Sequence, residues 1–396
     1  MKNPPRLTFR CPRIAVFFDL AVESARGILR GFMAYIRLNA PWNVHFVSKT
    51  VNDVDPTSLV DWNGDGILAH LPNQETLETI LSKKCPTVLL ARDDNDRLRV
   101  KKTAGKHAPV FVRCDNLAIG KMAADYFLKK DFAHFAYVSY SKDVCWCEER
   151  RKSFTQEVEK RGFSVDAFLP PDEKTDWFTR QNLLREWLLK LPKPVAILTA
   201  NDVRGRQVLE VCQQADIPVP YEASVLGIDN DLTVCEMCWP SLSSIQIDWE
   251  RAGSLCAESL DCMMQGETPP VGIYGPLRVV SRNSTEFFHV SDRLVVQVLE
   301  IIRISRGENL RVCDIIESFP VSERTLQERF KKAVGRSIME EIKRVRLQNI
   351  CRLIEETDLS FHEIARSFGF ENANHLGQLF KKELGITMGE YRREKK

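Results

Sequence analysis

From Arg13 to about Arg282, short apolar runs alternate with longer segments whose apolar residues recur every three or four positions. That alternation predicts strands and helices in turn, the pattern of a mainly parallel sheet covered by helices. Ile14-Ala15-Val16-Phe17-Phe18 reads as a buried strand, and Ala25 to Leu38 as a helix with Ile28, Phe32, Tyr35 and Ile36 on one face. Val44 to Val47, Gly66 to Ala69 and Thr87 to Ala91 continue the strands, with a helix from Gln74 to Ser82. A second series follows: helix Ala118 to Lys130, strand Phe135 to Ser139, helix Glu148 to Arg161, strand Ala196 to Thr199, helix Arg204 to Gln214 and strand Ser224 to Ile228. The chain then reads as irregular to Leu242, before helix Arg251 to Met264 and an extended piece from Leu277 to Ser281. About 270 residues exceed one comfortable core, so two α/β lobes are expected.

Between Arg282 and Ser291 the pattern breaks, and beyond it no strand period survives. The boundaries expected are an α/β region over 12–285, a linker over 286–291 and an all-α region over 292–396. Within the first, lobe one takes about 12–134 and 242–266, and lobe two 135–241 and 267–285. Helix starts in the tail are marked by a Ser or Thr with Glu three residues on: Ser337 with Glu340, Ser360 with Glu363, Thr387 with Glu390. In such a box the hydroxyl satisfies one orphan amide and the carboxylate another.

The tail holds two units of similar build, each a short helix, a tight turn and a longer helix. The first runs from Leu310 to Glu317, turns at Ser318 to Val321 and continues from Ser322 to Lys332; the second has Phe361 to Ser367, a turn at Gly369-Phe370, and Asn372 to Glu383. In each second helix a Leu and a Phe four residues apart, Leu326 with Phe330 and Leu376 with Phe380, assign one face to a core and turn the polar face outward. A major groove about 12 Å wide admits such a helix, and Arg, Asn and Gln pair with base edges. Candidate base readers are Arg324, Gln327 and Glu328 in the first unit and Asn374, His375 and Gln378 in the second. Lys331, Lys332, Lys381 and Lys382 suit phosphate contact. One such pair alone would read as an ordinary bundle with a solvated face; two at matching internal spacing favour a DNA reader.

Composition narrows the picture. With 44% apolar and 28% charged residues, the chain should fold throughout. Its net charge is only +2, and the 20 basic residues from Ser291 onward exceed the acidic ones by three, so any nucleic-acid contact must be local. The early apolar run, Ile14 to Phe18, is too short for an export signal, no run approaches the roughly 20 apolar residues that span a bilayer, and the 12 cysteines read as reduced thiols in a cytoplasm. The CxxC at Cys235 and Cys238 lacks a second pair at zinc-site spacing, so neither metal nor cofactor is expected.

The tail resembles the AraC/XylS family of regulators in Ile364-Ala365-Arg366-Ser367-Phe368-Gly369-Phe370, Phe380-Lys381-Lys382-Glu383-Leu384-Gly385 and Gly389-Glu390-Tyr391-Arg392-Arg393. The resemblance spans about Ser291 to Arg393 and implies seven helices, with a long one near Ile338 to Glu355 holding two reading helices apart. The first unit departs from the pattern: Glu328 stands where a basic residue is frequent, and either accepts from a cytosine amine or makes no contact. Pro320 replaces a common turn glycine.

In parallel α/β sheets ligands bind beyond the carboxyl ends of strands. Asp19, Asn201, Asp202 and Asp229 stand there; singly, each could equally cap the next helix. The set Val112-Arg113-Cys114-Asp115-Asn116, Asn201-Asp202, Ile217-Pro218-Val219-Pro220, Gly227-Ile228-Asp229-Asn230 and Leu242-Ser243-Ser244-Ile245 is similar to LacI/GalR-type effector domains, which have a periplasmic-binding-protein fold. The order of the two regions resembles the xylose-operon activator group over nearly the whole chain, including Arg278-Val279-Val280-Ser281-Arg282-Asn283-Ser284-Thr285. That resemblance implies a dimeric, two-lobed sugar sensor that activates transcription. Matching positions give Asp229 and Arg150 as the first candidates for sugar hydroxyls, then Asn201 and Asp202, then Asp19 and Arg26. Trp146 either stacks on a sugar face or, the more ordinary role, packs in the core. The expected partners are an operator with paired half-sites, a small sugar such as D-xylose or another pentose or plant sugar, a second copy of the chain and, for an activator, RNA polymerase. The alternative is a sugar-binding protein or sugar-processing enzyme with a helical accessory domain, but no phosphate-binding glycine loop, GxSxG turn or HExxH pair supports it.

Overall fold

In the computed structural model the chain divides into two compact units, Met1–Phe287 and Phe288–Lys396. The structure describes residues 11–39, 41–46, 62–70, 74–91, 108–141, 145–171, 175–286, 292–305 and 310–395. The expected linker, 286–291, lies almost entirely outside them.

Among the described residues the first unit contains two six-stranded sheets. The first sheet is parallel throughout: β2 (Asn43–Phe46), β1 (Arg13–Phe17), β3 (Gly66–His70), β4 (Thr87–Ala91), β5 (Val110–Cys114) and β11 (Gly272–Tyr274). The second runs β7 (Val165–Phe168), β6 (His134–Val138), β8 (Val195–Thr199), β9 (Ala223–Asp229), β10 (Ser243–Ile247) and β12 (Pro276–Val280), with only β12 antiparallel. The central strands β1, β3, β6, β8 and β9 are almost wholly buried, as expected of strands covered on both faces.

Sheet membership corrects the expected lobes. Ser243–Ile247 belongs to the second sheet, because it pairs with β9 and β12, and Gly272–Tyr274 to the first, because it pairs with β5. Helix α3 (Asn116–Leu128) packs on β12 and on α4 (Cys145–Glu159), so it too is part of the second lobe. The chain therefore crosses between lobes near Asp115, Asp248 and Gly275. The three crossings are hydrogen-bonded side by side, Asp115 N–H donating to Tyr274 O (2.7 Å) and Asp248 N–H to Gly275 O (3.0 Å). The span expected to be irregular up to Leu242 contains a short helix, α7 (Leu232–Met237), started by the Asp231 carboxylate.

Two helices seat the first lobe. α1 (Glu23–Asn39) lies against α8 (Trp249–Met264) so closely that a Cβ on Gly31 would come 1.8 Å from the Glu250 carbonyl oxygen, and one on Gly253 1.8 Å from that of Ile28. Arg30 bonds Glu250 and Tyr35 bonds Asp261 across the pair. This contact fixes the start of α8, and with it Trp249. The first unit's other helices are α2 (Gln74–Ser82), α5 (Trp177–Lys190) and α6 (Asp202–Gln214). Cys235 and Cys238 are buried around α7, and burial pushes both thiols up, that of Cys238 to about 12, the state of inert core cysteines.

The second unit shows seven helices among the described residues: α9 (Arg293–Ile304), α10 (Val312–Ile316), α11 (Glu323–Val334), α12 (Ile338–Glu356), α13 (Phe361–Ser367), α14 (Ala373–Leu384) and α15 (Met388–Lys395). The boxes at Ser337/Glu340, Ser360/Glu363 and Thr387/Glu390 all form. Helix α12 touches α11 on one side and α13 on the other. Its buried Glu341 binds both Arg344 and Arg336, the latter in the turn after α11, which anchors that turn to the long helix. No described helix is long and apolar enough to cross a membrane.

Candidate ligand cavity and nucleic-acid interface

A cavity of about 400 Å³ opens where the carboxyl ends of both sheets face each other. Asp19, Trp146, Arg150, Asn201, Asp202 and Asp229 all reach its wall. Helix α4 carries Trp146 and Arg150 one turn apart, so the guanidinium lies over the indole, 4.6 Å from the ring centroid. Arg150 is only 5% exposed. Its Nε donates to Asn116 Oδ1 (3.0 Å) and its Nη1 to the Ala200 carbonyl (2.6 Å), which holds the fork in one orientation. Burial, the largest single influence, works against its charge, but the Asp229 carboxylate together with Cys114, Tyr137 and Cys147 outweighs it, so the guanidinium holds its proton more tightly than usual.

Asp229 ends β9 with φ +109°, a conformation residues with a Cβ avoid, and Asn230 follows at +54°. Burial pushes the Asp229 carboxyl up to about 6, while Arg150 pulls against the rise. The cavity thus offers an acceptor and a charged donor together. Asn201 both lines the wall and caps α6, its side chain accepting from Arg204 N–H (3.0 Å), so the capping and lining roles coincide in one residue. Asp19 likewise accepts from Ala21 N–H (2.9 Å) while lining the cavity.

Two of the candidates bond to groups within the protein. Arg26 is absent from the wall: its Nε binds Glu23 and its Nη1 the carbonyls of Leu20 and Ala21, so its donors are spent on the turn before α1. Asp202 is 1% exposed and both its oxygens are engaged within the protein, by Ser244 Oγ (2.5 Å) and Asp231 N–H (2.7 Å). Burial holds its carboxyl well above the usual range.

The sequence reading missed Trp249, Tyr274 and Tyr140. Trp249 and Tyr274 form an aromatic pair on the first lobe's side, centroids 5.5 Å apart, and Tyr140 pairs with Trp146 on the second at 6.1 Å. The Trp249 indole N–H is buried with no acceptor, an expense that folded chains seldom leave uncompensated. The available signal was positional: Trp249 directly follows Asp248, at the end of a strand.

In the second unit Leu326, Phe330, Leu376 and Phe380 are fully buried, and the opposite faces of α11 and α14 are open. Arg324, Glu328, Lys331 and Lys332 are exposed on α11, with Gln327 half-buried; Asn374, His375, Gln378, Lys381 and Lys382 are exposed on α14. Both helices end on a left-handed glycine, Gly335 and Gly385, whose N–H bonds back to Lys331 and Lys381 respectively. They differ in dress: on α11, Arg324 donates to Glu328 (2.9 Å) and Gln327 to Glu323 (3.2 Å). Arg329 reaches from α11 to Asp292, the residue that caps α9, through two bonds of 2.6 and 2.7 Å.

Comparison with known proteins agrees with both halves. Residues 124–285 match the family described as periplasmic binding protein-like domain, and residues 316–394 the helix-turn-helix domain. The xylose operon regulatory protein of Haemophilus influenzae is 26% identical over 387 residues, covering 96% of this chain and 98% of that protein. That of Escherichia coli K12 is 27% identical over 389 residues, with 96% of each covered. The chain is a DNA-binding transcriptional regulator built like them. A solved structure titled as the xylose-binding transcription activator xylR shares the fold, with a TM-score of 0.82 at 24% identity, over 97% of this chain and 98% of that one. This regulator is thus a periplasmic-binding-protein-like domain followed by a helix-turn-helix domain, and its full-length relatives are regulators rather than enzymes.

Proposed function

We propose that the cavity of this regulator binds a sugar, with a pentose such as D-xylose the first candidate, and that binding alters how the paired reading helices engage DNA. The observation that carries this is Arg150 and Asp229 at one cavity between the aromatic pairs. A fork of donors and a carboxylate acceptor suit adjacent hydroxyls, while Trp146 and Trp249 offer flat faces to the apolar side of a ring. Asn201 and Asp19 complete the polar wall. The names of the full-length relatives point the same way.

On the reader, Arg324, Gln327, Asn374, His375 and Gln378 contact base edges in successive major-groove segments, and Lys331, Lys332, Lys381 and Lys382 contact phosphates. The boundaries 12–285 and 292–396 then separate a sensor from a reader. Two copies on paired half-sites, acting in the cytoplasm on RNA polymerase, complete the reading.

A thermal-shift screen with pentoses, hexoses and short plant-derived sugars tests it. At a hundred times its dissociation constant, a sugar that binds only the folded state adds about 2.7 kcal/mol of apparent stability. No response to any sugar, with the protein folded, would remove the sugar reading.

A further inference from the structure

We infer that Asp202 and Ser244 are positioning residues: together they hold the left-handed turn that aims Asp229 at the cavity, and neither touches the effector itself. The inference rests on the reading that Asp229 receives the effector's hydroxyls.

The geometry runs through three strand ends. Asp202 opens α6 after β8, Asp229 ends β9, and Ser244 lies in the neighbouring β10. Both clamp residues are buried. Asn230 N–H donates to Ser244 Oγ (3.0 Å), Ser244 Oγ donates to Asp202 Oδ1 (2.5 Å), and Asp231 N–H donates to Asp202 Oδ2 (2.7 Å). One buried carboxylate therefore controls two successive amides, one directly and one through a hydroxyl. Those amides belong to the residues just after Asp229, where φ is +109° at Asp229 and +54° at Asn230. An asparagine in this region often supports itself with its own side chain. Here the Asn230 Oδ1 is buried without a partner, so the support comes from the clamp.

The surroundings are built around the carboxylate. A Cβ on Gly227 would lie 2.2 Å from Asp202 Oδ1, so a side chain at that strand position would displace the clamp. With both oxygens committed and the residue 1% exposed, Asp202 acts through Asp229 rather than on a ligand. Ser244 offers one hydroxyl, which donates to Asp202 while accepting from Asn230.

The test uses the full-length protein and two mild variants, Ser244→Ala and Asp202→Asn, with Asp229→Asn as reference. Amide hydrogen exchange without sugar is the first arm. The amides of Asn230 and Asp231 are expected to be protected in the wild type and to exchange at least tenfold faster in both variants. Unchanged exchange would overturn the clamp. The second arm is calorimetry with D-xylose and its monodeoxy analogues. Asp229→Asn identifies the hydroxyl that Asp229 receives, because the penalty for the analogue lacking it disappears. In Ser244→Ala, D-xylose affinity is expected to fall at least tenfold, and the penalty for that one analogue to shrink while those for the others persist. General loosening would instead weaken every analogue alike and leave the pattern intact, which refutes a positioning role, as does wild-type affinity. If D-xylose does not bind the wild type, the pentose reading fails, and the exchange arm still decides the clamp.

Discussion

Asp229 concentrates more physical conflict than any other described residue of the cavity, being half-buried, ionisable and backbone-strained at once. Its ordinary value of 3.8 is raised to about 6 by burial, so from about pH 4 to 6 the folded chain holds a proton that the unfolded chain has released. Stability contributed by this group is therefore full below about pH 4, declines as pH rises to 6 and stays lowered above it. Urea unfolding of the wild type and Asp229→Asn at pH 4 and 7 should show a smaller pH difference in the variant; equal differences would mean that Asp229 does not titrate this way. Sugar binding has the opposite sign, because only the carboxylate accepts two hydroxyl bonds, so affinity should rise through pH 6. The residue types at this site could be read along the chain: Asp19, Arg150, Asn201 and Asp229 all meet at the wall. Their division of labour could not, because Asp202 and Asp229 are set apart by burial, backbone conformation and the groups that occupy their oxygens, and these depend on Ser244 and other residues of neighbouring strands.

At the scale of elements, close helix contact and exposed helix faces make separate demands. Gly253→Ala places a methyl against the α1 backbone and should cost about 1–3 kcal/mol or more in chemical denaturation, since neither backbone can retreat independently. A change within a few tenths of a kcal/mol would show that the two helices can separate freely. On the reader, Lys381→Ala and Lys382→Ala should each weaken binding to all DNA sequences and lower the slope of log affinity against log salt by about 0.9. A loss confined to one sequence would instead make that lysine a base reader. The reader's helices were legible because caps and apolar spacing are local, and α13 spans the expected residues Phe361–Ser367. The six-residue α7 was not, since its periodicity is too short to separate from a loop and its start depends on Asp231 as cap.

For the whole molecule, a sugar can regulate only through a difference in affinity for two states. If D-xylose changes operator affinity by a given factor, the operator must change D-xylose affinity by the same factor, typically about 5–150-fold. Titrating each ligand in the presence and absence of the other checks this. Unequal factors at equilibrium would require a further species, such as a change in oligomeric state.

The order of amino acids alone determined the alternation of strands and helices, the two similar helix pairs and several polar residues at the cavity wall, because these follow from periodicity, capping and position at strand ends. Tertiary structure decided that β10 and β11 exchange lobes relative to the linear reading, that Arg26 serves a turn, that Asp202 is spoken for and that Trp249 faces the cavity. Each of those outcomes depends on hydrogen bonds or packing between segments far apart in the chain, where local pattern carries no information about which surfaces meet.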